Sequence, residues 1–123
     1  MKPTILVFNF ADKTRYNRFI KAVLPLKAKI KKVGREDYLQ PIGYLVGKKD
    51  IDPVEEKYEG PELDDEMLLI SDFTDMKLNQ LLLPLKKSAV RINLKAVLTQ
   101  NNQKWNPVQL YEQLAKEHEQ LNK

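Results

Sequence analysis

The residues best suited by type to do chemistry fall in two groups. The first is Asp72, Asp75, Thr99, Asn101, Asn102 and Trp105: two carboxylates, a hydroxyl, two amides and the only tryptophan, on the loops after two apolar runs. If those runs are parallel strands, their carboxyl ends share one edge. Ligands bind at such edges through free backbone N–H groups and the helix dipole. The same residues also have a plain structural use, with Asp75 and Asn106 capping helices, the asparagines making turns and Trp105 covering the core. The second group is Lys13, Arg15, Arg18, Lys21, Lys29 and Lys31, joined by Lys27, Lys32 and Arg35. A cluster of this kind attracts phosphate backbones or an acidic protein partner and makes binding salt-dependent. No aromatic pair fit for base stacking accompanies it. Its plain reading is a solvated face balanced by the acidic stretch 50–66.

Other chemistries lack their parts. The chain has no cysteine and a single histidine, His118, so neither a thiolate site nor a paired transition-metal site is expected. His118 falls on the apolar stripe of the last helix, and Glu117 and Glu119 point to other faces. Asp64-Asp65-Glu66 has no fixed ligand spacing for a hard cation and reads as solvated acid. Gly34, Gly43, Gly47 and Gly60 are too scattered for a phosphate loop. No catalytic residue, metal or cofactor is expected.

The elements that must hold these residues follow from periodicity. Thr4 to Asn9 reads as an interior strand, and Asp12 caps a helix with Tyr16, Phe19, Ile20, Val23 and Leu24 on one stripe, ended near Pro25. Residues 28–33 read as a lysine-bearing edge strand. Residues 37–47 hold a short helix or turn with Ile42, Leu45 and Val46 inward, stopped by Gly47. Residues 48–66, rich in acid and poor in apolar side chains, read as a mobile linker or loop. Met67 to Ser71 is the third strand. Thr74 or Asp75 caps a helix with Leu78, Leu81, Leu82 and Leu85 inward, which Pro84 ends or bends. Ala96-Val97-Leu98 reads as a strand buried on both faces. Asn106-Pro107 opens the last helix, Gln109 completing a capping box and Leu110, Tyr111, Leu114, Ala115, His118 and Leu121 forming its stripe.

A weak internal repeat links the halves 1–47 and 67–123. Phe10-Ala11-Asp12 answers Phe73-Thr74-Asp75, Leu24-Pro25-Leu26-Lys27 answers Leu83-Pro84-Leu85-Lys86, and Ala28-Lys29-Ile30 answers Val90-Arg91-Ile92. The expected fold is therefore α/β: two β-α-β units forming one four-stranded sheet with packed helices and a C-terminal helix. The unbroken apolar strands belong at its centre. The units can be joined antiparallel, as in a ferredoxin-like α+β sheet, or in the same sense, as in an open parallel sheet; the repeated β-α-β-α order favours the second.

Residues 67–119 also resemble a bacterial family catalogued as a domain of unknown function. The likeness rests on Met67-Leu68-Leu69-Ile70, Phe73-Thr74-Asp75, Leu94-Lys95-Ala96-Val97-Leu98-Thr99, Asn102, Trp105 and Glu117-His118. A proline usually follows the threonine in that family, where this chain has Gln100. The resemblance implies a small bacterial cytosolic protein and supplies no catalytic residues.

At 123 residues and 42% apolar side chains, the chain has the size of one ordinary domain. No apolar run reaches the length of a signal segment or membrane span, so a cytoplasmic protein is expected. The net charge of +4 hides blocks of +9 over residues 1–35, −10 over 36–75 and +5 over 76–123. These features point to a non-enzymatic binding or regulatory module. Its partner is a protein or a second copy, with nucleic acid on the basic face and a small ligand or enzymatic site at the strand edge as rivals.

Overall fold

The computed structural model describes residues 2–88 and 90–121. One mixed sheet carries the chain, its strands β1 (Thr4–Phe8), β2 (Lys29–Val33), β3 (Met67–Ser71) and β4 (Leu94–Val97) lying in the order β2-β1-β3-β4. β1 runs parallel to β2 and β3 parallel to β4, while β1 and β3 meet antiparallel, Leu6 opposite Leu69. The expected α/β architecture of two β-α-β units thus stands, but the open parallel sheet is corrected. The joining is antiparallel, and both strands of each unit are neighbours, unlike the split units of a ferredoxin-like sheet.

β1 and β3 hold the centre because every one of their residues is buried, which only an inner strand covered on both faces tolerates. β2 and β4 take the edges, where Lys29, Lys32 and Lys95 stay exposed. Helix α1 (Lys13–Val23) and helix α3 (Asp75–Lys87) cover one face, burying Phe19, Val23, Leu81 and Leu85 on Ile5, Val7, Leu68 and Ile70. The four-residue α2 (Ile42–Leu45) and helix α4 (Pro107–Leu121) cover the other, where Ile42, Leu45 and Leu110 meet Leu6, Phe8, Met67 and Leu69.

The helix ends are fixed locally. Asp12 Oδ1 accepts from the N–H groups of Thr14 and Arg15, at 2.9 and 3.2 Å. Thr74, rather than Asp75, caps α3 through the Lys77 N–H. Asn106 and Gln109 exchange backbone-to-side-chain bonds of 2.9 Å each, the reciprocal box expected from their spacing. Pro84 does not end α3, which runs on to Lys87. The matching Leu24-Pro25-Leu26 instead forms a 3-10 turn after α1. Three residues expected on buried stripes are turned out: Leu24, Leu82 and Leu121, at 68%, 41% and 84% exposure. β4 is not buried on both faces either. Val97 is 47% exposed, in keeping with the edge position of β4.

Residues 48–66 have no regular structure, as expected of a loop, yet they are tied at intervals to the α2 side of the molecule. The Gln40 amide exchanges two hydrogen bonds with the Val54 backbone, and the buried Tyr38 hydroxyl donates to Glu62. Asn9 Nδ2 donates to the Leu63 carbonyl at 2.8 Å, and Leu63 itself enters the core. At its end Glu66 receives a two-pronged contact from Arg15.

Candidate functional site

The β3–β4 edge forms because the two strands are parallel, and it brings Asp72 and Thr99 together around a small cavity of about 230 Å³, with Lys48, Ser71, Gln100 and Gln103. Asp72 sits there at φ +61, its carboxylate accepting from the Ser71 hydroxyl. Asn102 is buried and fully engaged. Its Oδ1 accepts from the Thr99 N–H, its Nδ2 donates to the Val97 carbonyl, and its own N–H reaches the Thr99 hydroxyl, all within 3.0 Å. Trp105 packs partly buried against the α2–α4 core while its carbonyl accepts from the Ile42 N–H. Asn101 and Asp75 are exposed and do not line this cavity, Asp75 lying in the first turn of α3. The edge thus gathers two of the six named residues, and two side-chain bonds of Asn102 with one from its backbone N–H build the loop itself.

The basic residues of the first block scatter more than their spacing suggests. Arg15 is engaged: its guanidinium holds Glu66 at 2.5 Å, touches the Arg91 carbonyl and lies 5.8 Å from the Phe10 ring. That carboxylate raises the Arg15 pKa further. Lys31 donates to the Leu45 carbonyl on the α2 face, and Lys32 sits 4.8 Å over the Tyr16 ring. Lys13 and Lys29 are exposed. Arg18 and Lys21 are different, for they border a groove between α1 and α3.

That groove, about 560 Å³, has Ala22, Leu83 and Pro84 as its apolar part and Arg18, Lys21 and Lys87 as its cations, with Ser88 at one end. Leu83 is 55% exposed beside it. On the other flank of α3 lies a second cavity, between the helix and β4, with Leu82, Leu85, Val90 and Ile92 as its apolar lining and Lys86, Arg91 and Lys95 as its cations. Burial and the neighbouring Arg91 charge hold Lys95 below the usual lysine pKa. No carboxylate is among the described residues lining either. The sequence offered one signal for this region: Leu81-Leu82-Leu83 is a run of three where an amphipathic stripe needs two, so one or more must face out.

Residues 66–121 match a domain of unknown function, DUF3783. The DUF3783 segment spans β3, α3, β4 and α4, so it contains the second unit and the whole lining of the α3–β4 cavity. The groove between α1 and α3 draws Arg18, Lys21 and Ala22 from outside it. Neither the curated proteins nor the solved structures yield a match. Among the described residues no helix is long and apolar enough to cross a membrane.

Proposed function

We infer that this protein is a non-enzymatic, cytoplasmic binding module, its 123 residues acting as one domain, which docks an acidic protein segment in the groove between α1 and α3. The observation that carries the reading is the groove's composition: Arg18, Lys21 and Lys87 around Ala22, Leu83 and Pro84, with no acid among the described lining residues. Cations around an exposed leucine suit a partner that presents carboxylates beside aliphatic side chains. Nucleic acid fits this surface less well. Single-stranded recognition relies on aromatic faces, and here Phe10, Tyr16 and Phe19 pack on one another instead, while Lys32 covers Tyr16.

A labelled 20-residue peptide of glutamate and leucine at helical spacing tests the reading, set against its lysine–leucine counterpart and a 20-nucleotide RNA. Exposed ion pairs are worth about 0.2–1 kcal/mol each. The triple reversal Arg18→Glu, Lys21→Glu, Lys87→Glu is therefore expected to weaken the acidic peptide about tenfold or more, and raised salt to weaken it further. Tighter binding of the RNA than of the acidic peptide in the same buffer, or indifference to the triple reversal, refutes it. A second copy of the chain is the other occupant favoured by an observation, since Asp50, Asp52, Glu55, Glu56 and Glu59 are exposed beside the 40% exposed Val54. Sedimentation of the unlabelled protein at low and high salt reads that case directly.

A further inference from the structure

The cavity between α3 and β4, about 710 Å³, differs from the groove just assigned in being floored by core residues. Leu85, Val90 and Ile92 are 5%, 2% and 3% exposed, and Leu82 walls one side. The cavity lies between the helix and the edge strand. Lys95 lies opposite the fully buried Leu68, on the face that α1 and α3 cover over the inner strands, and lines the cavity with Leu82, Leu85 and Lys86 of α3.

Three cations gather at the opening. Lys86 comes from the last turn of α3, Arg91 from the connection to β4, and Lys95 from β4 itself, its ammonium donating to the Ile92 carbonyl. Lys86 has a sufficient structural reason, since a cation at a helix C-terminus offsets the dipole. Arg91 and Lys95 lie beyond the helix, so its dipole does not account for them; Lys95 is held locally by the Ile92 carbonyl. The last carbonyls there are already served, Pro84 by the Ser88 N–H and Leu85 by the Ser88 hydroxyl. Glu66 is linked to this region through Arg15, which engages both its oxygens and itself reaches the Arg91 carbonyl. Like charges held together over apolar surface, with no carboxylate among the described lining residues, make an arriving anion favourable.

We propose that this cavity binds a small amphiphilic anion, with the apolar body of the ligand on Leu82, Leu85, Val90 and Ile92 and a single carboxylate or phosphate head among Lys86, Arg91 and Lys95. The volume falls within the range of about 300–1,000 Å³ typical of small-ligand sites. Head and body recognition are separable here, because the lining supplies cations for the one and leucine, valine and isoleucine side chains for the other. A neutral ligand of the same length keeps the apolar contacts and loses the charged ones. This site is independent of the protein-docking groove, which uses none of these seven side chains.

Titration calorimetry on the full chain tests the proposal, with decanoate, decyl phosphate and decanol as probes. Decanoate or decyl phosphate is expected to bind one to one, at least about tenfold tighter than decanol. The tighter of the two anions names the head group. Arg91→Gln and Lys86→Gln, both at exposed side chains, should each weaken the anion several-fold, and the Ile92 methyl resonances should shift on addition of wild-type ligand. Arg18→Gln with Lys21→Gln should leave the affinity unchanged, which separates this site from the groove and from general attraction by a basic surface. Equal affinity for decanol, no change in Arg91→Gln, an equal loss in the Arg18 and Lys21 variant, or no binding up to about 1 mM overturns it.

Discussion

Replacing Tyr38 by phenylalanine isolates one tie between the acidic segment and the core. Tyr38 is fully buried, its ring between Phe8 and Tyr58, and its hydroxyl donates to the Glu62 carboxylate. Phenylalanine keeps the ring contacts and removes only that bond. A hydrogen bond to a charged acceptor contributes about 1.5–3 kcal/mol. Glu62 is exposed and is rehydrated once released, so the lower end applies, about 1.5 kcal/mol. In urea, with a slope of about 1–3 kcal/mol per molar, the midpoint should fall by about 0.5–1.5 M.

The same substitution carries a pH signature that simple loss of packing does not. Burial, reinforced by the Glu62 carboxylate, pushes the Tyr38 hydroxyl far above the ordinary tyrosine value of 10.0. The folded state therefore keeps a proton there that the unfolded chain releases. The stabilisation this represents is complete below about pH 10 and is lost as pH rises toward the folded value. One unit above the unfolded pKa the loss is about 1.4 kcal/mol. Wild type should thus exceed Tyr38→Phe by about 1.5 kcal/mol near pH 8 and match it near pH 11. Contributions from lysines and from Tyr111, whose pKa burial also raises, are common to both proteins and cancel. Paired urea titrations at the two pH values measure the difference, and a gap that is absent at pH 8 or unchanged at pH 11 refutes the role given to the Tyr38–Glu62 bond.

Asn102→Ala should cost about 1–3 kcal/mol, since it strips two side-chain bonds from a buried loop; a loss under about 0.5 kcal/mol in chemical denaturation would contradict the structural role given to that side chain. Asp72→Gly should gain up to about 1 kcal/mol by relieving a left-handed backbone, whereas Asn9→Gly, at φ +60 but bonded to Leu63, should lose stability. Because Lys95 has a lowered folded pKa, wild type should gain stability relative to Lys95→Met as pH rises through that value toward the ordinary 10.5; a difference flat with pH would contradict the burial of the amine beside Arg91. Trp105 fluorescence and far-UV circular dichroism should report one coincident unfolding transition, and two separated transitions would divide the chain into more than one domain.

What could be read along the chain was what local physics decides. The Asn106–Gln109 box follows from residues three apart, and the Asp12 cap from one side chain over one turn. The central places of β1 and β3 follow from five consecutive buried positions, which suit no surface strand. The direction in which the units join was not legible, because it depends on where residues 48–66 lead the chain. That path is set by distant partners, Gln40 with Val54, Tyr38 with Glu62 and Asn9 with Leu63. Composition in that stretch signalled a loop and left its anchors unnamed. The outward positions of Leu24, Leu82 and Leu121 were not legible for a related reason: helical spacing ranks apolar residues by angle and says nothing of which neighbours reach them. In the candidate edge, Asp72 and Thr99 were brought together by strand direction alone. The bonds of Asn102 to Val97 and Thr99 depend on the turn between them, which spacing does not reveal.

The antiparallel joining also explains why the charge blocks of the sequence become surfaces of the molecule. With β1 and β3 side by side and opposed, α1 and α3 pack together on one face. Arg18 and Lys21 from the first basic block then stand across a groove from Lys87 of the last one, and Lys86, Arg91 and Lys95 ring the far flank of the same helix. The acidic segment 48–66 is tied by Tyr38, Gln40 and Leu63 to the α2–α4 side, and its last residue, Glu66, meets Arg15 of α1. In an open parallel sheet wound both ways, the helices of successive halves lie on opposite faces, and the two basic blocks would part. The mixed sheet keeps them on one side. Two cation-lined concavities there are separated only by the width of α3, so a residue on that helix can be assigned to one or the other by the flank it faces: Leu82 and Lys86 to the small anion, Leu83 and Lys87 to the acidic protein segment. Reversal at Lys87 that weakened decanoate as much as the acidic peptide would show that the helix does not divide the two, and that one continuous basic surface serves both.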